Sequence, residues 1–257
     1  MNTLIDTHAH LYSHKFDQDR SDMVRRAIAA GVTRIYLPNI DSESIEGMLA
    51  LEAEFPDNCF AMMGLHPSSV QPDTYDAELD IVEKWIGKRT WAGIGETGID
   101  LYWDKTTLGI QQIAFSRQCE WAKELGRPII IHSREANREA IEVVRQAQDG
   151  RLRGIFHCFS GTLDEAKEMI ELGFMLGIGG TLTYPKSDLP NVLREIPLEY
   201  IVLETDAPYL PPVPHRGKRN ESAFVRHTAD VLSEAKALPL AEIARTTTAN
   251  ALRMFGR

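Results

Sequence analysis

The sequence predicts an α/β fold, a single (β/α)8 TIM barrel with additional C-terminal helices. Three observations carry that expectation. Short β-branched or apolar runs recur eight times along the 257 residues. Stretches of helical period separate them. The runs are nearly continuous in apolar residues, as strands of a parallel sheet buried on both faces must be. Eight such units close naturally into a barrel. A doubly wound open sheet is the alternative, but no glycine-rich phosphate loop follows the first run.

The first run, "LIDTHAH", ends on His8 and His10. Val24, Ala27 and Ile28 then repeat at helical spacing ahead of Gly31, where a helix can stop. "VTRIYLPNI", "CFAMMGLHP" and "WAGIGETGID" supply the second to fourth strands, and "PIIIHS" the fifth, after Gly126 ends another helix. "RGIFHCFSG" is the sixth. Thr162 with Glu165 forms a capping box at the start of a helix carrying Leu163, Ala166, Met169 and Ile170, which Gly173 ends before "FMLGIGGTL". The eighth run, "YIVLETDAPYL", leads into the proline-rich loop "LPPVPHRGKRNESAF" and two closing helices, roughly 222–237 and 239–255. No linker-like segment or internal repeat divides the chain, so residues 1–257 are expected to form one domain.

A hydrophobic content of 43% with 25% charged residues sits near globular averages and indicates neither a disordered chain nor a membrane protein. The N-terminus lacks the pattern of a signal peptide, and no apolar run approaches a membrane span, so a cytoplasmic monomer with no membrane partner is expected. Cys59, Cys119 and Cys158 are too few and too scattered for a disulfide framework, which agrees with a reducing compartment. Cys158, next to His157, is expected to face away from it into the core. The net charge of -9 argues against coating nucleic acid by bulk electrostatics, though not against a local cleft.

Strand side chains alternate faces, so Asp6, His8 and His10 share one. Two imidazoles at this spacing can reach one cation, with Asp6 one step deeper as a supporting partner. A solvated strand end is the alternative, and the pair alone does not decide between them. In a barrel the functional groups sit at the C-terminal strand ends. Those ends carry His8 and His10, His66, Glu96, His132, His157, and Glu204 with Asp206. One such histidine can be an ordinary hydrogen-bonding group. Its repetition on strands one, three, five and six is better explained by a shared metal site, because buried polar groups without common chemistry are costly. Four imidazoles and two carboxylates exceed the needs of one tetrahedral ion and suit two ions about 3.5–4 Å apart that share a bridging carboxylate. Glu96, the carboxylate ending a middle strand, is the natural bridge; the alternative is a carboxylate held by the amides of its glycine-rich turn.

Taken in order, "DTHAHL", "GLHP", "GETGID", "IIIHSR", "HCFSG", "ETDAPYL" and "RGKRNE" resemble the motifs of the TatD family of metal-dependent deoxyribonucleases, a branch of the amidohydrolase-like barrels. The resemblance covers essentially the whole chain, down to "TTTANALRMFG". It implies that His8, His10 and Asp206 hold one metal, that His132 and His157 hold the other, and that Glu96 bridges both. The family pattern has a proline after "RGKRNE" where this chain has Ser222, which bears only on the local path of the loop.

Two divalent ions, whether magnesium, manganese or zinc, would acidify a shared water for in-line attack on a phosphodiester. Asp206 is then the candidate proton acceptor, Glu204 a supporting carboxylate one layer deeper, and His66 a contact for a phosphate oxygen. In the loop after the eighth strand, Arg216, Lys218 and Arg219 form either a phosphate clamp or a solvated charge run. With so little basic surface elsewhere, the expected partner is DNA or another phosphodiester, held at an end or as a short single strand. The alternatives are a bimetal hydrolase of a small amide or ester, since fold does not fix substrate, and a metal-binding scaffold without turnover.

Overall fold

The computed structural model describes residues 3–256. Each predicted run contains a strand, and each strand is followed by a helix. The order is β1 (Leu4–Asp6), α1 (Arg20–Ala29), β2 (Val32–Leu37), α2 (Ile45–Glu54), β3 (Cys59–Ala61), α3 (Tyr75–Ile86), β4 (Ile94–Asp100) and α4 (Leu108–Leu125). It continues with β5 (Ile129–Arg134), α5 (Asn137–Ala147), β6 (Gly154–Phe156), α6 (Leu163–Glu171), β7 (Phe174–Ile178), α7 (Leu189–Glu195), β8 (Ile201–Leu203), α8 (Val225–Lys236) and α9 (Leu240–Phe255). Of the two closing helices, α8 completes the eighth unit and α9 is the addition. The Thr162–Glu165 capping box is formed, and Gly31, Gly126 and Gly173 follow their helices at φ of 94°, 61° and 93°. No described helix is long and apolar enough to cross a membrane.

All strand pairs are parallel, in two ladders, β1-β2-β3 and β4-β5-β6-β7-β8. Single bridges join them at both seams, Met63 to Ile94 and Ala9 to Ala207. The fold is therefore barrel-like without one continuous eight-stranded ladder. β1, β3 and β8, which flank the seams, hold three residues each.

Period two explains where the site lies. Ile130 shares a face with His132 on β5, while Ile155, Met62 and Val202 lie an even number of residues ahead of His157, His66, and Glu204 with Asp206, which follow the ends of β6, β3 and β8. The apolar member of each set joins one cluster with Ala251, Met254 and Phe255 of α9, and Phe255 stacks on Tyr36 at 3.7 Å. One end of the strand layer is thus plugged by α9, and the same faces turn from aliphatic to imidazole and carboxylate toward the C-terminal ends.

Candidate metal centre

His8 and His10 lie just beyond β1, on a segment held by the chain that follows β8. Thr7 N–H donates to Leu203 O at 3.0 Å, Asp206 N–H to His8 O at 2.9 Å, and His10 N–H to Ala207 O at 2.7 Å. This pairing brings Asp206 beside the two imidazoles. Asp6 does not reach those rings. Its carboxylate accepts from Thr205 N–H at 2.9 Å and Thr205 Oγ1 at 2.6 Å, so it acts on the turn that carries Asp206. Burial pushes its carboxyl up to about 7.

Glu96 occupies the centre. Its Oε2 faces His8 Nε2 at 3.1 Å and His10 Nε2 at 3.2 Å. Its Oε1 faces His132 Nδ1 at 2.8 Å, His157 Nε2 at 2.9 Å and His66 Nε2 at 3.2 Å. Asp206 Oδ1 completes the first group, 3.7 Å from His8 Nε2 and 3.6 Å from His10 Nε2. The groups meet where the His8 and His157 rings stack at 3.8 Å. Burial alone would raise the Glu96 carboxyl, but the imidazoles of His66, His157 and His8 outweigh it and hold it well below the usual range. Burial dominates at Asp206, lifting it to about 6 against the pull of His157 and His10.

Two partners outside the sequence-derived set fix which nitrogens face inward. The Tyr12 hydroxyl donates to Pro38 O at 2.5 Å and so accepts from His10 Nδ1 at 2.9 Å, leaving His10 Nε2 with a lone pair toward Glu96. Asp100 Oδ2 takes His132 Nε2–H at 2.9 Å, leaving His132 Nδ1 as the inward lone pair. Both signals were present in the sequence as period-two neighbours, Tyr12 two residues from His10 and Asp100 four from Glu96. His66 has the opposite polarity: its Nδ1 accepts from Ser68 N–H at 3.0 Å, so Nε2 carries the proton and points into the site as a donor.

The donor set passes a direct test of fit for cations. Ring nitrogens of His8, His10, His132 and His157 converge on the two Glu96 oxygens at 2.8–3.2 Å, a set of imidazole and carboxylate donors of the kind that holds divalent cations. Glu96 Oε2 is buried without a hydrogen-bond partner.

Glu204 is buried behind His157, its Oε1 3.4 Å from His157 Nδ1 and accepting from Cys158 N–H at 2.5 Å. Room for it comes from Gly177, where a Cβ would stand 2.2 Å from Glu204 Oε2. Gly177→Ala is therefore expected to push Glu204 off His157 and weaken divalent binding by roughly 10–100-fold, the range for losing a ligand's supporting partner; calorimetric titration of the apoprotein checks it.

Two expectations need correction. β6 ends at Phe156, so Cys158 falls in the following turn at φ 47° and lines the cavity over the site instead of entering the core. Burial and the nearby Asp206, Glu204 and Glu96 carboxylates hold its thiol well above its ordinary value, so it stays protonated. Arg219 is not available as a clamp: it pairs bidentately with Asp19, both contacts at 2.7 Å, donates to Lys15 O at 2.8 Å, and covers the Phe16 ring. Arg216 and Lys218 are exposed. Arg216 lies over the Tyr184 ring in a side cavity of about 500 Å³ that shares Ser160 and Thr181 with the cavity of about 580 Å³ above Glu96.

A ring of parallel strands that turns two groups of imidazoles onto one carboxylate at its C-terminal end is the build of a metal-dependent hydrolase. The comparisons agree. A family model described as TatD related DNase matches residues 5–256, and the chain belongs to this family. It is 36% identical over 253 residues to YabD of Bacillus subtilis, an uncharacterized metal-dependent hydrolase, with 98% of each chain covered. It is 31% identical over 258 residues to the 3'-5' ssDNA/RNA exonuclease TatD of Dickeya dadantii, covering 98% of this chain and 97% of that one. The crystal structure of YjjV, a TatD homolog from Escherichia coli, superposes with a TM-score of 0.92 at 31% identity over 99% of this chain and 98% of the other.

Proposed function

We propose that the chain hydrolyses phosphodiester bonds of nucleic acid, working on ends or single strands with two divalent ions. The observation that carries this reading is the division of Glu96: one oxygen serves His8 and His10, the other His132 and His157. The exonuclease name of the Dickeya dadantii relative supports the substrate class.

His8, His10 and Asp206 would hold one ion and His132 and His157 the other, with Glu96 between. Bound there, the pair would lower the pKa of a shared water and offset charge on the phosphate. The chain's own groups do the rest. His66 presents Nε2–H to a phosphate oxygen, and Asp100 and Tyr12 keep the ligand nitrogens of His132 and His10 aimed inward. Asp206, which would help hold the first ion and also lines the cavity, accepts the proton of the attacking water. Arg216 and Lys218 draw in the phosphates flanking the cleaved one.

Incubation of metal-exchanged protein with end-labelled single- and double-stranded DNA tests the assignment. Shortening of the single strand is expected; turnover of a model ester or amide with intact oligonucleotides would replace the reading by that of a small-molecule hydrolase.

The two halves of the basic loop are expected to separate experimentally. Arg216→Ala with Lys218→Ala should weaken oligonucleotide binding and lower the salt slope by about one for each charge removed. Arg219→Ala should instead cost about 1 kcal/mol of stability, read from the urea midpoint, with the salt slope unchanged.

A further inference from the structure

Trp103 is the anomaly of the surface. Of the four tryptophans, Trp91 and Trp121 are buried and Trp85 is half-buried, whereas Trp103 is 74% exposed. It lies on the rim of the cavity above Glu96, together with Arg134 and Asp100. Tyr102, beside it, is 48% exposed and meets its ring edge-on at 4.8 Å. An indole left in water at the mouth of a site gives up the stabilisation that burial would bring.

Its position relative to the site is set by the same group that sets His132. Asp100 holds His132 Nε2 through Oδ2 and accepts Tyr102 N–H through Oδ1 at 2.9 Å. Gln111 of α4 grips the backbone of Asp100 on both sides, accepting its N–H at 2.8 Å and donating to its carbonyl at 3.1 Å. The aromatic pair therefore hangs from the carboxylate that orients a candidate metal ligand.

A cation accompanies the rings. Arg134, two residues beyond His132 on β5, lies 3.7 Å from the Tyr102 ring centroid and 5.7 Å from that of Trp103. The neighbouring Glu135 faces Lys105 at 4.0 Å, and among the described residues Arg134 has no carboxylate within that distance. An exposed flat ring, an adjoining unneutralised guanidinium and a site for a phosphodiester form the combination by which single strands are held: base on aromatic face, phosphate on cation. A duplex keeps its bases stacked on one another and cannot offer an internal one to the indole without unstacking it.

We propose that Trp103, with Arg134 beside it, is a stacking platform for one unpaired base of the substrate, next to the phosphate held over Glu96. The proposal rests on the nucleic-acid reading above and names how that site selects single strands.

A cycle of protein and substrate changes tests it. The probes are a fluorescein-labelled ten-residue oligothymidylate and the same strand with one abasic position, scanned through the four residues nearest each end. Affinity is read by fluorescence polarisation with calcium, and kcat/KM with magnesium. The wild-type protein should lose about tenfold or more at one abasic position, the scale of one base–aromatic stack. Trp103→Ala should erase that penalty, so that intact and abasic strands bind alike, and Trp103→Phe should restore most of it. If Trp103→Ala weakens both strands equally and the abasic penalty survives, the residue is structural and the platform falls while the nuclease reading stands. If wild-type protein neither binds nor cuts either strand, the nuclease reading falls and the platform falls with it.

Discussion

Glu96→Ala is expected to strip divalent metal from both groups of ligands and to lower hydrolysis by about a thousandfold or more, beyond the roughly 10–100-fold typical when only a supporting partner is lost. The reason is geometric. Each oxygen of Glu96 completes a different set of imidazoles, 3.1–3.2 Å from the nitrogens of His8 and His10 on one side and 2.8–2.9 Å from those of His132 and His157 on the other. Removing the carboxylate leaves each set with neutral ligands facing across a buried gap, and only Asp206 supplies charge to the first. Elemental analysis of reconstituted protein should approach two ions per chain for the wild type and fall at both sites in the variant. A variant that keeps one tightly bound ion, or a wild type fully active with a single ion, would overturn the bridge.

How much of this was readable in the sequence differs from residue to residue. The strands could be located because burial on both faces makes parallel strands almost purely apolar, and their polar ends stand out against that background. Hence His8, His10, Glu96, His132, His157 and Asp206 can be gathered from the sequence alone, and the structure brings them together. Asp100 and Tyr12 carried the same period-two signal but no separate chemical mark, since an aspartate or tyrosine at a strand end serves equally well as a turn residue. The basic loop misled because a run of charge says nothing of its partners: Asp19, which takes Arg219, lies 200 residues away in sequence. For Cys158, apolar character overstates strand length: the run continues, but the ladder stops at Phe156. The seams follow from local pairing too short to be read in a single segment.

The Asp206→Asn variant is expected to keep the fold, bind metal more weakly, and still turn over roughly a hundredfold or more slowly when metal is saturating, the usual cost of losing a positioned proton acceptor. Asparagine keeps the size and shape of the side chain and the oxygen that sits 3.6–3.7 Å from His10 and His8, so coordination is weakened but not abolished. What is lost is the negative charge and nearly all basicity. If Asp206 acted only as a ligand, raising the metal concentration would restore most of the rate. The pH profile separates the roles further. Burial pushes the Asp206 carboxyl up to about 6, and nearby cations can only lower it. The carboxylate form is the working one, so wild-type activity should rise with pH along an acid limb lying below about 6 and level off above it. In Asp206→Asn no carboxyl titrates at that position, and the limb should vanish from the residual activity. Near-normal turnover of the metal-saturated variant on an oligonucleotide, with the acid limb intact, would return Asp206 to coordination alone and require another group to carry the proton away.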